Sequence, residues 1–210
     1  MRTLKLTKET IQNILTDLLK RSPNNYTQYE SSVNEIIANV RSNGDQAVFD
    51  YTQKFDGATV TADNIEVTED EIAEAYELVD QKLLEVIRKA KENIRVYHEK
   101  QKQYSWFDSS IPGTMLGQKV TPIAKAGVYV PGGKAVYPSS VLMNIMPAKV
   151  AGVEEIIMTT PCNKAGKVNP STLVAAKEAG ADRVFKVGGA QAIAALAFGT
   201  ESIPKVDKIV

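Results

Sequence analysis

The chain has 210 residues, with 25 Lys plus Arg against 25 Asp plus Glu, so it is long enough to bury one large core or two small ones and carries no overall field that would draw nucleic acid or an anionic membrane. A single cysteine, Cys162, and a single histidine, His98, exclude an internal disulfide and leave too few side chains for a closed zinc site or a Ser-His-Asp relay. A metal used by this protein would take most of its ligands from outside these residues.

The first twenty residues, MRTLKLTKETIQNILTDLLK, are interrupted by polar side chains every few positions. They lack the unbroken apolar stretch of a secretory signal, and no later stretch approaches a membrane span, which points to a cytoplasmic protein. Thr7 can cap a helix with Ile11, Ile14, Leu15, Leu18 and Leu19 on one face, and RSPNNY then breaks it at Pro23. A second stripe, Val33, Ile36, Ile37 and Val40, ends at Asn43-Gly44, where glycine suits a left-handed cap. Asp45 can cap the next short helix, which runs through Ala47, Val48 and Tyr51 to a turn at Phe55-Asp56-Gly57. Thr68 and Glu71 have capping-box spacing and open a helix through Ile72, Ala75, Tyr76 and Val79.

From about residue 82 to 103 runs a long charged helix with Leu83, Leu84, Ile87, Ala90, Ile94 and Tyr97 inside. Between Lys82 and Lys102 it holds seven Lys or Arg against three Glu. No aromatics interleave for base stacking, so a solvated outer helix with pairs such as Glu85–Lys89 is the better reading than a nucleic-acid face. After Trp106 the texture changes to short β-branched runs alternating with helical segments, the signature of βαβ units and a largely parallel sheet. Strands are expected near 115–120, 124–130, 154–159, 183–187 and 206–210, and helices near 139–151, 170–179 and 190–198. The break near 105–122 marks a domain boundary, giving an N-terminal helical arm at 1–25, a mainly helical part of a first domain at 26–113, and a Rossmann-like domain at 114–210.

In a parallel α/β sheet, ligands sit beyond the C-terminal ends of the strands. Two loops fit: Tyr129-Val130-Pro131-Gly132-Gly133, and Lys186-Val187-Gly188-Gly189-Ala190-Gln191. Each sets paired glycines between an apolar strand and a helix, which lets a ligand touch backbone. The spacing is not G-x-G-x-x-G, so on spacing alone these loops serve equally as nucleotide contacts or as plain tight turns. The other candidates read as structural: His98 as a surface residue, Cys162 as an inert thiol in a polar loop, Met143 and Met146 as core filler on one helix face.

Taken together, GVYVPGGKAVYPSSVLMNIMPAKVAGVEEIIMTTP, VFKVGGAQAIAALAFGTESIPKVDKIV and VRSNGDQAVFDYTQKFDG closely resemble the L-histidinol dehydrogenase family over nearly the whole chain. The resemblance implies an α/β fold similar to that of aldehyde dehydrogenases, with a Rossmann-like parallel sheet preceded by a helical region that belongs to an incomplete first domain. It also implies a zinc-dependent oxidation of L-histidinol to L-histidine in two hydride transfers to NAD, by an intertwined homodimer. Tyr129 and Gln191 match residues that contact NAD in the family. Family chains continue past KVDKIV into the segments that hold the zinc ligands, the substrate-binding serine and the Glu-His pair of proton transfer.

The sequence therefore looks like the N-terminal portion of the enzyme, inactive by itself, and its face at Val33, Ile36, Ile37 and Val40 is expected to be left wet. Two other readings stay open. One is a non-catalytic nucleotide-binding module built on this fold; the other is a dehydrogenase of the aldehyde-dehydrogenase-like superfamily with another substrate.

Overall fold

A computed structural model describes residues 7, 8, 10, 11, 27–132 and 136–210. The chain divides into two compact units, Met1–Glu35 and Ile36–Val210. In the first, the Thr10 N–H donates to Thr7 Oγ1 at 3.2 Å and the Ile11 N–H to the Thr7 carbonyl at 3.0 Å, the cap expected at Thr7. The rest of that apolar stripe, the break at RSPNNY and Gly133 lie outside the described residues.

Helix α1, Thr27–Asp56, is broken at Gly44, whose φ of 52° and ψ of −131° are non-helical. Glycine alone takes that conformation without strain. The expected cap by Asp45 on its own helix does not form. Instead the Asp45 N–H donates to the Glu201 carboxylate at 2.8 Å, while the Asp45 carboxylate accepts from the Ser202 hydroxyl and, at 3.2 Å, from the Ser202 N–H. The second half of α1 is thus capped across 156 residues of sequence, and its N-terminal amides still find an acceptor.

Helix α2, Glu69–Leu78, opens on the anticipated capping box, with Thr68 and Glu71 each accepting from the other's backbone N–H. Helix α3, Gln81–Glu99, is capped by Asp80. Next come a small antiparallel hairpin, β1 (Trp106–Asp108) on β2 (Leu116–Gln118), and then the strands and helices of the main sheet. These are β3 (Lys125–Tyr129), α4 (Pro138–Ala151), β4 (Glu155–Thr160), α5 (Pro170–Ala179), β5 (Arg183–Lys186), α6 (Gly189–Phe198) and β6 (Lys208–Ile209). The strands form one parallel sheet in the order β5-β4-β3-β6. Counted from β3, that is the 3-2-1-4 order of a doubly wound sheet, with its switch point between β3 and β6.

Alternation along the strands divides the core in two. Ala126, Val128, Ile156, Met158 and Val184 face α4 and α5, and the outer helices α2 and α3 pack against that layer through Ala75, Leu84 and Ile87. Ile157, Phe185 and Val187 face the opposite way, against α6 and against α1 at Val40 before its break and Ala47, Val48 and Tyr51 after it. Pro170 and Pro138 stand at the first turns of their helices, where a missing N–H costs nothing, and Gly152 and Gly180 close α4 and α5 in the left-handed conformation.

Three expectations are corrected here. Val40 is buried, and Ile36 and Ile37 pack partly against the α6 side of the core, so of the four residues expected to be wet only Val33 is exposed; residues 185–206 supply the cover. Met143 is exposed while Met146 is buried, because positions three apart on α4 straddle the edge of its buried face. The basic residues of α3 do not pair as Glu85–Lys89: Arg95 joins Glu92 and Glu99, and Arg88 and Lys91 reach Glu178 on α5.

Candidate active-site cleft

A cleft of about 800 Å³ opens beyond the C-terminal ends of β3 and β4. Its walls include Tyr129, Pro131 and Gly132 from the first glycine loop, Val136 beyond it, Gly189 from the second loop, Thr160 at the end of β4 with Pro161 and Cys162 after it, and Phe55 and Asp56 from the end of α1. The N-terminal residues of α5, Asn169 and Pro170, line it as well. Asn169 caps its own helix through the Ser171 N–H at 3.0 Å, but neither α4 nor α6 has a side-chain cap. The positive ends of those helices are suited to an anion.

Of the two residues singled out from sequence, Tyr129 lines this cleft and Gln191 is not among its walls. Tyr129 ends β3, its N–H donating to the Val210 carbonyl at 2.8 Å. Its hydroxyl accepts from the Gly189 N–H at 3.3 Å, two residues ahead of Gln191. Gln191, in the first turn of α6, is only 1% exposed, and its Oε1 has no hydrogen-bond donor among the described residues. Thr159, opposite Tyr129 in the strand register, is also buried with an unpartnered Oγ1. Each such unmatched buried oxygen costs about 1–3 kcal/mol until it is satisfied.

The glycines of the two loops have a packing reason that spacing could not show. A Cβ at Gly132 would run into Pro161 Cγ, and one at Gly188 would stand 2.7 Å from Pro161 Cβ. Both loops close on the same proline ring, so small residues are needed there with or without a ligand. Gly189 is different: its φ of 67° favours glycine, and a Cβ there would meet the Gln191 side chain at 2.7 Å.

Cys162 lies under the loop rather than in solvent, its Sγ 3.9 Å from the Lys186 carbonyl. Burial pushes its thiol above the ordinary range and the charge of Asp56 adds to that, so it is a poor nucleophile. His98 stands apart on α3, with Nδ1 2.7 Å from Gln101 Oε1. Missed by sequence reasoning were Lys186 and Asp56. Lys186 is buried and its Nζ is 2.7 Å from the Glu71 carboxylate. Asp56 is a cleft-wall carboxyl raised above its ordinary pKa by burial, with an unpartnered Oδ2. Neither carries a local signal, because their surroundings are assembled from distant segments. Among the described residues no group of three or more His, Cys, Asp or Glu is placed to hold a metal ion, and no helix is long and apolar enough to cross a membrane.

Comparison with known proteins agrees with this architecture. Residues 19–210 match the family model described as histidinol dehydrogenase. A protein of that name from Bacillus subtilis (strain 168) is 57% identical over 192 residues, covering 91% of this chain and 44% of the relative. One from Listeria innocua is 50% identical over 210 residues, covering 100% of this chain and 48% of the relative. The crystal structure of histidinol dehydrogenase from Elizabethkingia anophelis matches with a TM-score of 0.81 at 38% identity, over 86% of this chain and 41% of that one. The chain spans about half the length of the curated relatives it matches.

Proposed function

Because the chain belongs to the histidinol dehydrogenase family, we propose that it forms the NAD-binding part of a cytoplasmic, homodimeric enzyme that oxidises L-histidinol to L-histidine in two successive hydride transfers, with zinc as a second cofactor. In this reading residues 114–210 are the cofactor domain and residues 26–113 the helical part of a neighbouring domain. The observation that supports it is the Tyr129 hydroxyl bonded to the Gly189 N–H at the cleft beyond β3 and β4, with the buried Gln191 amide oxygen two residues further on left unmatched.

NAD fits the residues present. The cofactor would lie over the glycine loops, with its pyrophosphate towards the uncapped helix ends, Tyr129 as a wall and Gln191 as a hydrogen-bonding group. When bound, it supplies the hydride acceptor; the chain's part is to bind it, orient it and keep water from the cleft. Zinc does not fit the residues at hand, since no metal-holding group is present among the described ones.

The test is a Tyr129→Ala, Gln191→Ala double variant of the complete enzyme. The KM for NAD should rise by at least tenfold while bound zinc is unchanged, each lost hydrogen bond to the cofactor being worth about 1 kcal/mol or more. An unchanged KM removes both residues from the cofactor site.

A further inference from the structure

We propose that a second cavity, of about 340 Å³ beside the loop after β4, binds a phosphate group, free or carried as a monoester, through Lys164, Lys167 and Lys186. Of its walls only Glu71 and Lys167 also line the cleft of Tyr129, whereas Lys164, Lys186, Thr59 and Asn64 belong to this cavity alone. Its charge is one-sided, with three ammoniums facing the single carboxylate of Glu71.

Two of the lysines stand on a closed turn. The Asn163 N–H donates to the Lys167 carbonyl at 2.9 Å, and Asn163 Oδ1 accepts from the Ala165 N–H at 2.9 Å and the Lys167 N–H at 3.1 Å. With those amides used inside the turn, what it offers a ligand is its two side-chain heads. The stem of Lys164 lies along Gly57, where an added Cβ would stand 3.4 Å from Lys164 Cγ; the stem is packed and the charged end is left to the cavity. Lys186 comes from another side, at the end of β5, and is only 5% exposed.

Counting hydrogens shows what is left for a ligand. An ammonium has three. Lys186 uses two on the Glu71 carboxylate, at 2.8 and 2.7 Å, and Lys167 uses one on Glu74 at 2.8 Å. Lys164 makes no hydrogen bond or ion pair among the described residues. Glu71 is already shared with the Thr68 N–H at 3.1 Å, and Glu74 lies outside the cavity with its side chain 54% exposed, so water screens its charge. Asn64 Nδ2 adds a neutral donor, with one hydrogen on the Thr59 carbonyl at 3.4 Å and the other unused. Spare donors and positive charge thus converge from the turn, from the end of β5 and from the 59–64 segment. A tetrahedral oxyanion, with acceptors on every side, meets that arrangement better than a planar carboxylate does.

The experiment is thermal unfolding of the complete protein in rising inorganic phosphate, and separately in rising glycerol 3-phosphate, at an ionic strength held constant with sodium chloride. Tm should climb with phosphate over its value in chloride alone, as a ligand bound only by the folded state requires. Lys164→Ala should need about tenfold more phosphate for the same rise, the loss of one charge-assisted hydrogen bond, and Lys164→Arg should keep the response. Lys164 is exposed and unpaired, so these variants leave the fold intact. A response to phosphate alone would identify the free ion as the ligand, and a stronger response to the ester a phosphorylated small molecule. A Tm that follows ionic strength only, or a Lys164→Ala variant that responds like the unaltered protein, would overturn the site. So would a phosphate response that vanishes in saturating NAD, since the anion would then sit in the cofactor cleft. The proposal does not rest on the dinucleotide reading, and a protein that binds phosphate but not NAD would keep this site and lose that one.

Discussion

Cys162 and Lys186 show how much a single position depends on what folds over it. In sequence Cys162 sits among Thr, Pro, Asn and Lys and reads as a residue of a polar loop. In the fold it is buried beneath the Lys186 carbonyl, and burial first, then the Asp56 charge, push its thiol up. A group whose pKa is higher folded than unfolded contributes stability that is complete below the unfolded value and is lost as pH rises through the folded one. We therefore expect Cys162 to react with a thiol reagent at pH 8 far more slowly than a free cysteine, and at the ordinary rate once denaturant is added; rapid labelling of the native protein would contradict the burial. Lys186 stands at the end of an apolar strand yet is 5% exposed, held by Glu71 on α2. Removing one member of such a pair strands the other, although Lys167 lies 3.8 Å from Glu71 as a partial substitute. Lys186→Met should destabilise the fold by about 2–3 kcal/mol and lower Tm by about 5–10 °C. The residues named from resemblance, Tyr129 and Gln191, could be named because they lie in long ordered motifs. Lys186 and Asp56 could not, because a lysine after a strand or an aspartate in a turn has an ordinary surface reading until Glu71 or the cleft is brought beside it.

Among the elements, those with a strong period were legible: the expected strands near 124–130, 154–159 and 183–187 became Lys125–Tyr129, Glu155–Thr160 and Arg183–Lys186, and the helices near 139–151, 170–179 and 190–198 fall within a residue of their observed bounds. Strand Trp106–Asp108 was missed within the presumed domain break, since three residues give no alternation to read and its partner Leu116–Gln118 lies across a loop. How α2 and α3 sit on the sheet was also hidden. Both are tied to α5 through Glu178, which accepts from Tyr76 at 3.1 Å, Arg88 at 2.8 Å and Lys91 at 3.2 Å. Burial acts to raise the Glu178 carboxyl, but the three donors outweigh it and hold the group below the usual carboxylate range. Tyr76 is pushed up to about 12, by burial first and then by the charge of Glu178. A carboxyl depressed in the folded state contributes stability that is present above its unfolded pKa and lost as pH falls through the folded one. Glu178→Gln should therefore lower stability by about 1–2 kcal/mol near pH 7, allowing for the exposure of Arg88. That difference should close as acid titration passes below pH 4. A gap of constant size down to pH 3 would mean that packing, not charge, joins these helices.

For the whole molecule, the structure holds a doubly wound sheet with helices on both faces and, among the described residues, no group placed to hold a metal ion; in the proposed reading it is the cofactor part of a larger enzyme. Residues 1–210 purified alone with L-histidinol, NAD and zinc should give no NADH; sustained absorbance growth at 340 nm (about the NADH band) would show that the chemistry needs nothing beyond them. The hairpin β1–β2 has a different bearing, for Trp106 is 55% and Phe107 63% exposed, with Met115 and Leu116 beside them. Apolar surface of that kind favours association, which sets a low protein concentration as the condition for the binding experiments. Pro161, finally, stands between Gly132 and Gly188 with no room for a methyl group on either side. Two loops packed on one rigid ring share a common wall, so a side chain added to either is expected to push that ring against the other.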